Sequence, residues 1–315
     1  MSLKGVVFGI HVPPEGRDFL EMKNMCLSVE RLGFDLFTIT DHFMNMNQPD
    51  GPSQHPLECW STLAGLAAVT SKIRLGPLVS CYFYRPPTVL AKMATTVDII
   101  SNGRLIFGIG AGWHQKEFEG FFGRFPTVGE RMRGLEETIQ ICRSMFKNER
   151  TSFRGKLYHV DNVLNSPLPV QRPPPIMVGG GGEKRTLRIA ARYADISHFA
   201  FNPSEKVLDQ KLIVLRKHCK AVKRDFDEIK KGISVTPIVG FTEKEIEAKI
   251  RQLAQSEGIA LNEYKKRLRP VRGTPKQCVQ EMRRYIDKGV SLFTMRFLNL
   301  EDAKLFAEEI MGKLR

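Results

Sequence analysis

Two hydrophobic patterns alternate along the chain. Short, nearly continuous apolar runs bounded by Gly or Pro predict strands buried on both faces, and longer segments with apolar positions three and four apart predict helices. The first run, VVFGIHV at 6–12, stops at Pro13-Pro14. Residues 17–32 follow with Phe19, Leu20, Met22, Met25, Leu27, Val29 and Leu32 near a helical period, and Gly33 stands where a C-cap would be. FDLFTITDHF at 34–43 is the second strand, and its end carries Asp41 and His42. The rhythm continues as helix 56–71, strand 73–80, helix 87–101, strand 104–110 and a helix at about 129–147.

From about 149 to 175 the alternation breaks into a stretch rich in Pro and turn residues, which predicts an insertion with a short hairpin at SFRGKLYHV. It then resumes with strands at 175–180, 194–200, 232–240 and 291–298, separated by helices. A second, helical insertion is predicted at about 241–272. Eight strands, each followed by a helical crossover, must run parallel, and that count predicts a (β/α)8 TIM barrel with insertions in the class α/β. An open doubly wound sheet fits fewer strands better. No strong repeat or Ser/Gly linker divides residues 1–315, so one elaborated domain is expected.

Composition narrows the setting. No apolar stretch reaches the ~18–20 residues of a membrane span, and the N-terminus has no basic, apolar and small-residue export pattern, so no membrane partner is expected. The six cysteines are scattered without a C-x-x-C pair or metal-ligand spacing; this predicts no metal site and a reducing, cytoplasmic location. A formal net charge of +14 raises the weight of an anionic ligand without naming it. The basic stretch KKRLRPVR at 265–272 has no interleaved aromatic platform, and no nucleic-acid partner is expected from it.

In a parallel barrel the chemistry sits just past the C-terminal ends of the strands. That rule selects His11, Asp41, His42, Ser80, Cys81, the run Gly110 to His114, the glycines 179–182, His198 and Arg296. Asp41 and His42 are the sharpest pair, because an imidazole beside a carboxylate can hold and pass a proton near neutral pH; a capping Asp and a packing His are the plainer alternative. VGGGGEKRT at 178–186 leaves a strand for a helix. Its glycine amides, with Lys184 and Arg185, could cradle a phosphate, although the run matches neither G-x-x-x-x-G-K-[ST] nor G-x-G-x-x-G and a flexible turn is the alternative. GIGAGW at 108–113 would let a flat ring lie against backbone with Trp113 as a wall, or would serve packing alone. There is no G-x-S-x-G elbow and no H-E-x-x-H motif.

Taken together, GFDLFTITDHF, LECWSTLAGLAAVTSKIRLG, YRPPTVLAKMATTVDIISNGRLIFGIGAGWHQKEF, VGERMRGLEETIQICRSMF and PVQRPPPIMVGGGGEKRTLRIAARYAD closely resemble the bacterial luciferase-like superfamily. Within it they look most like the group that uses the deazaflavin coenzyme F420. The likeness covers about residues 5–201 and returns at 273–297. It implies a coenzyme ring in the barrel mouth against Ser80, Cys81, Gly110, Ala111, Gly112 and Trp113, with the phosphate on Gly179, Gly180, Gly181 and Gly182. It also implies catalytic roles for His42 and Asp41, a non-prolyl cis peptide at Ser80-Cys81 to within one residue, and a homodimer. The glutamate that some F420 members carry after the strand-four glycine corresponds here to Ala111; Glu117 lies nearby in sequence. The expected activity is hydride transfer between F420 and a small organic substrate. An FMN-dependent monooxygenase of the same superfamily is the alternative, and a sugar-phosphate barrel enzyme the more distant one.

Overall fold

The computed structural model describes residues 5–46, 55–267 and 271–315. In chain order the elements are β1 (Val7–His11), α1 (Phe19–Arg31), β2 (Leu36–Ile39), α2 (Cys59–Val69), β3 (Arg74–Pro77), β4 (Ser80–Cys81), α3 (Pro87–Ile100), β5 (Phe107–Gly110), α4 (Gln115–Phe122) and α5 (Val128–Lys147). There follow β6 (Arg150–Arg154), β7 (His159–Leu164), β8 (Ile176–Gly179), α6 (Thr186–Tyr193), β9 (Ile196–Phe201), α7 (Glu205–Ala221) and β10 (Lys230–Val235). The chain ends with β11 (Ile238–Val239), α8 (Glu243–Ser256), α9 (Leu261–Lys266), β12 (Arg272–Gly273), α10 (Pro275–Asp287), β13 (Val290–Met295), α11 (Leu300–Phe306), a π-helical turn (Ala307–Met311) and α12 (Gly312–Leu314).

The main sheet runs β3-β2-β1-β13-β10-β9-β8-β5-β4, parallel at each pairing. It closes where Leu75 of β3 bridges Leu105 just ahead of β5. Two hydrogen bonds hold that seam: Leu75 N–H to the Arg104 carbonyl at 3.2 Å and Ile106 N–H to the Leu75 carbonyl at 2.8 Å. The third barrel strand is split into β3 and β4, so nine segments fill eight strand positions, and the architecture is the expected (β/α)8 barrel. Closure removes the edges that an open sheet would expose.

Strand parity explains the continuous apolar runs. Alternate side chains of each strand point inward and outward, and both directions are dry. Phe8 and Ile10 point out towards the helical layer, while Val7 points in and joins Leu36, Ile106, Met177, Ile196 and Leu292 in an inner layer that excludes water. Nearer the C-terminal mouth the interior turns polar: His11 Nδ1 meets Thr38 Oγ1 at 3.1 Å, His198 Nε2 meets Thr294 Oγ1 at 2.9 Å, and Ser234 Oγ lies 2.7 Å from the same hydroxyl. Polar side chains are tolerated there because they pair with each other.

The helices begin where local chemistry caps them. Capping boxes at Asp18–Glu21, Thr127–Glu130 and Thr274–Gln277 start α1, α5 and α10. Gly33, at φ +84°, ends α1 in the left-handed region as its position in the sequence predicted. In the stretch after α5, β6 and β7 form the antiparallel hairpin expected there. Glu137 of α5 pins it by accepting from the amides of Lys156, Leu157 and Tyr158 at 2.8, 2.9 and 3.0 Å.

Besides the split of the predicted strand 73–80 into β3 and β4, two expectations change. The predicted strand 232–240 is two elements, because β11 leaves the barrel and pairs with β12. The segment 114–128, read as a loop, contains α4, whose ring-bearing face, with Phe118 fully buried, packs onto Phe83, Tyr84 and Phe125. Tertiary aromatic contacts stabilise this eight-residue helix, which is too short to persist alone.

Candidate active site

The mouth of the barrel is built from the segments that follow β2, β4, β5 and β8. After β2 the chain carries Asp41, His42 and Phe43, and these three face different partners. Asp41 is 2% exposed and turns away from solvent. Its two oxygens accept from Arg85 Nη1 at 2.7 Å and Arg85 Nη2 at 3.0 Å, and Oδ2 also accepts from Ser80 Oγ at 2.7 Å. Ser80 in turn accepts from Trp60 Nε1 at 2.8 Å. Glu58 completes the cluster by pairing with Arg85 while capping α2 through the amides of Trp60 and Ser61. Burial works against the charge of Arg85, but the Asp41 and Glu58 carboxylates outweigh it and raise the guanidinium above its ordinary value. Complete burial, countered by Arg85 and Ser80, leaves the Asp41 carboxyl raised from its ordinary value. This is a structural anchor that ties β2, α2, β4 and the start of α3 together behind the site.

The expected Asp41–His42 pair is therefore corrected: the partner of His42 is Glu117. His42 Nδ1 lies 2.8 Å from Glu117 Oε2. The same carboxylate accepts from the Met44 amide at 3.1 Å, from the Phe43 amide and from the Tyr84 hydroxyl. Glu117 is 0% exposed. Burial raises its pKa, yet the bonds from His42, Tyr84 and Phe43 more than compensate, and the carboxyl is held below its ordinary range. Tyr84 moves the other way, pushed up by burial and by the neighbouring Glu117 charge. His42 keeps 14% of its side chain exposed, so one face of this buried relay reaches the mouth. Phe43 on Tyr84 (5.0 Å between ring centres) and Tyr84 on Phe122 (5.5 Å) fix the group from behind.

Sequence reading noted Glu117 near Ala111 but missed its pairing with His42, because the two lie 75 residues apart and Glu117 is in a helix that the periodicity did not reveal. The signal was present in GWHQKEF, where an acid stands three residues after the helix start at His114, the position from which a side chain reaches back towards the N-terminus.

The remaining sites fall as follows. The cis peptide is at Leu78-Val79, two residues before the expected Ser80-Cys81 bond, since β3 ends at Pro77 and Ser80-Cys81 belongs to the separate β4. Val79 lies against Gly110 and Gly179: a Cβ on either glycine would come within 2.7 Å of a Val79 methyl group. Cys81 is buried, and its Sγ would lie 2.5 Å from a Cβ at Gly112, whose φ of +70° also suits glycine. Neither Ser80, held by Asp41 and Trp60, nor Cys81 is open to the mouth, whereas Trp113 is 63% exposed and stands edge-on to His42 at 5.9 Å. His114 Nδ1 is buried with no hydrogen-bond partner among the described residues. The loop Gly179–Gly182 runs to the start of α6; the Gly180 amide donates to the His198 carbonyl at 2.9 Å, and no side chain caps α6. Deeper in the barrel, burial and the nearby Arg296 pull His11 down to about 3, and burial pulls His198 down to about 4, so both are neutral at physiological pH. Among the described residues no group of three His, Cys, Asp or Glu is placed to hold a metal, and no helix is long and apolar enough to cross a membrane.

A parallel barrel with a buried acid–imidazole pair at its mouth and a glycine loop at a helix start fits the class of α/β-barrel enzymes whose chemistry lies at the C-terminal ends of the strands. The model of the luciferase-like monooxygenases matches residues 5–272, and the chain belongs to that family of oxidoreductases. Its relatives include an F420-dependent dehydrogenase and monooxygenases. The F420-dependent glucose-6-phosphate dehydrogenase of Gordonia bronchialis is 26% identical over 72% of this chain and 67% of its own length. The pyrimidine monooxygenase RutA of Variovorax paradoxus is 31% identical over 55% of this chain, a match spanning 46% of that protein. Among solved structures, an F420-dependent secondary alcohol dehydrogenase in complex with an F420-acetone adduct superposes with a TM-score of 0.82 at 16% identity, covering 99% of each chain. An EDTA monooxygenase from Chelativorans also reaches 0.82, at 17% identity over 99% of this chain and 93% of its own.

Proposed function

We propose that this enzyme binds coenzyme F420 and passes a hydride between it and a small organic substrate. The observation that carries the choice of coenzyme is a cationic groove that begins where the glycine loop ends. A cavity of about 620 Å³ between α5 and α6 is lined by Arg133, Lys184, Arg185 and Arg188. Its acids are already engaged, Glu136 by Arg192 at 3.0 Å and Glu137 by the hairpin amides, while none of the four cations pairs with an acid among the described residues. FMN ends at its phosphate, whereas F420 continues into an anionic oligoglutamate tail, and a run of cations past the phosphate loop suits the longer anion.

The residues present fit such a coenzyme. Gly110 and Gly179 leave the floor beside Val79 free of further side chains, Trp113 supplies an exposed aromatic wall, and the start of α6, which no side chain caps, suits a phosphate. When bound, F420 supplies the hydride acceptor or donor. The chain itself orients, excludes water and handles a proton. Ionised Glu117 accepts at His42 Nδ1, which must then carry a hydrogen; Nε2 is left as the atom that takes or gives a proton at the mouth. Asp41 acts one step back, holding the backbone that presents His42.

Titration with F420 and with FMN at increasing salt tests the reading. F420 should bind at least tenfold more tightly, and replacing Arg133 and Arg188 by Gln should weaken F420 and flatten its salt dependence while leaving FMN nearly unchanged. Tighter binding of FMN would favour the monooxygenase reading. We further propose a cytoplasmic homodimer acting on a small molecule, with no nucleic-acid or membrane partner; Val69 of α2 and Val89, Ile99 and Ile100 of α3 offer an exposed apolar face for the second copy, which light scattering would test.

A further inference from the structure

A second cavity, of about 670 Å³, opens at the mouth between the end of β1, the segment after β13 and the α8–α9 insertion. The volume lies inside the ~300–1,000 Å³ range of small-molecule sites. Its walls divide by chemistry. Met25, Val29, Phe297 and Leu298 make an apolar body, and among the described residues the charged groups are Arg17, Arg267 and Arg296 against one carboxylate, Glu257. Arg267 is engaged by Glu263 at 3.1 Å. Arg17 differs: its Nε is buried and has no hydrogen-bond partner among the described residues. A guanidinium N–H hidden from water without an acceptor costs roughly 1–3 kcal/mol, and an anionic oxygen supplied by a ligand would satisfy it.

His11 lines the cavity and lies within electrostatic reach of Arg296, His198 and His42. We infer that this cavity holds the organic substrate and selects one with an apolar body and a carboxylate headgroup, anchored by Arg17. The inference rests on the proposed redox function, since it names the substrate class of that same mouth. A planar guanidinium fork matches a carboxylate with two parallel hydrogen bonds, which neither an amide nor an amine can accept.

Calorimetry on the full chain with three probes sharing one apolar body tests it: 4-phenylbutyrate, 4-phenylbutyramide and 4-phenylbutylamine. The carboxylate should bind at least tenfold more tightly than the amide, and the amine should be weakest. Arg17→Gln should erase the preference for the carboxylate over the amide, whereas Arg17→Lys, which keeps the charge, should retain part of it and also serves as the folding control. Equal affinities for carboxylate and amide in the unaltered protein, or a preference that survives Arg17→Gln, would overturn the inference. Titrating the same proteins with F420 and FMN separates the two ideas. A carboxylate preference without affinity for either coenzyme would remove the redox reading and keep the anion site, and coenzyme binding without the preference would do the reverse.

Discussion

Replacing Glu117 by Gln tests the relay most directly, because it keeps the shape and removes the charge. The carboxylate accepts four hydrogen bonds, from His42 Nδ1, Tyr84 Oη and the amides of Phe43 and Met44. In Glu117→Gln the remaining carbonyl oxygen can still serve the two amides, and the new NH₂ faces His42 and Tyr84. Both of those can adapt, the imidazole by changing tautomer and the hydroxyl by rotating. The loss is then the difference between four charge-assisted bonds and four neutral ones, about 0.5 kcal/mol each, or about 2 kcal/mol in all. Glu117→Ala leaves the two amides without an acceptor and should cost more, about 4 kcal/mol.

Urea unfolding at several pH values measures this. The Glu117 carboxyl is held below its ordinary value in the folded protein, so the folded state binds fewer protons than the unfolded chain as pH falls past the normal carboxylate range. Its contribution is complete above the unfolded-state pKa of about 4.3 and is lost as pH falls through the lower folded value. The gap between the parent protein and Glu117→Gln should therefore be full at neutral pH and shrink in acid. A Glu117→Ala variant within 0.5 kcal/mol of the parent at neutral pH would refute the reasoning, as would a Glu117→Gln gap that stays constant into the acid range.

Arg85→Met strands the buried Asp41 carboxylate and should destabilise the fold by about 3–5 kcal/mol, read from the unfolding midpoint; a neutral result would mean that Asp41 is not the anchor described. Gly179→Ala puts a methyl 2.7 Å from Val79 and should cost about 1–3 kcal/mol while weakening coenzyme binding, seen in the same titrations that compare F420 and FMN. His198 takes its proton only near pH 4 in the folded state, against about 6.5 in the unfolded chain, so stability is present above that unfolded value and declines as pH falls towards 4, by about 3 kcal/mol in total. His198→Asn should flatten that limb of the stability–pH curve; an unaltered slope would argue against a neutral buried imidazole.

The periodicity and the Gly and Pro stops were enough to determine most of the strands and helices, their order and hence the parallel barrel, though not α4 or the break before β11, because each of those signals acts over a few neighbouring residues. They also marked His42, Gly110, Trp113 and the Gly179–Gly182 loop as strand-end positions, since a parallel barrel puts all such ends on one face. Which side chains meet there was decided by closure of the barrel alone. Asp41 and His42 are neighbours in the chain, yet adjacent side chains beyond a strand end point apart. One met Arg85, 44 residues on, and the other met Glu117, 75 residues on, on a short helix that aromatic packing holds in place. Local pattern carries no information about contacts at that separation, and a carboxylate beside an imidazole in sequence reads the same whether or not the two touch.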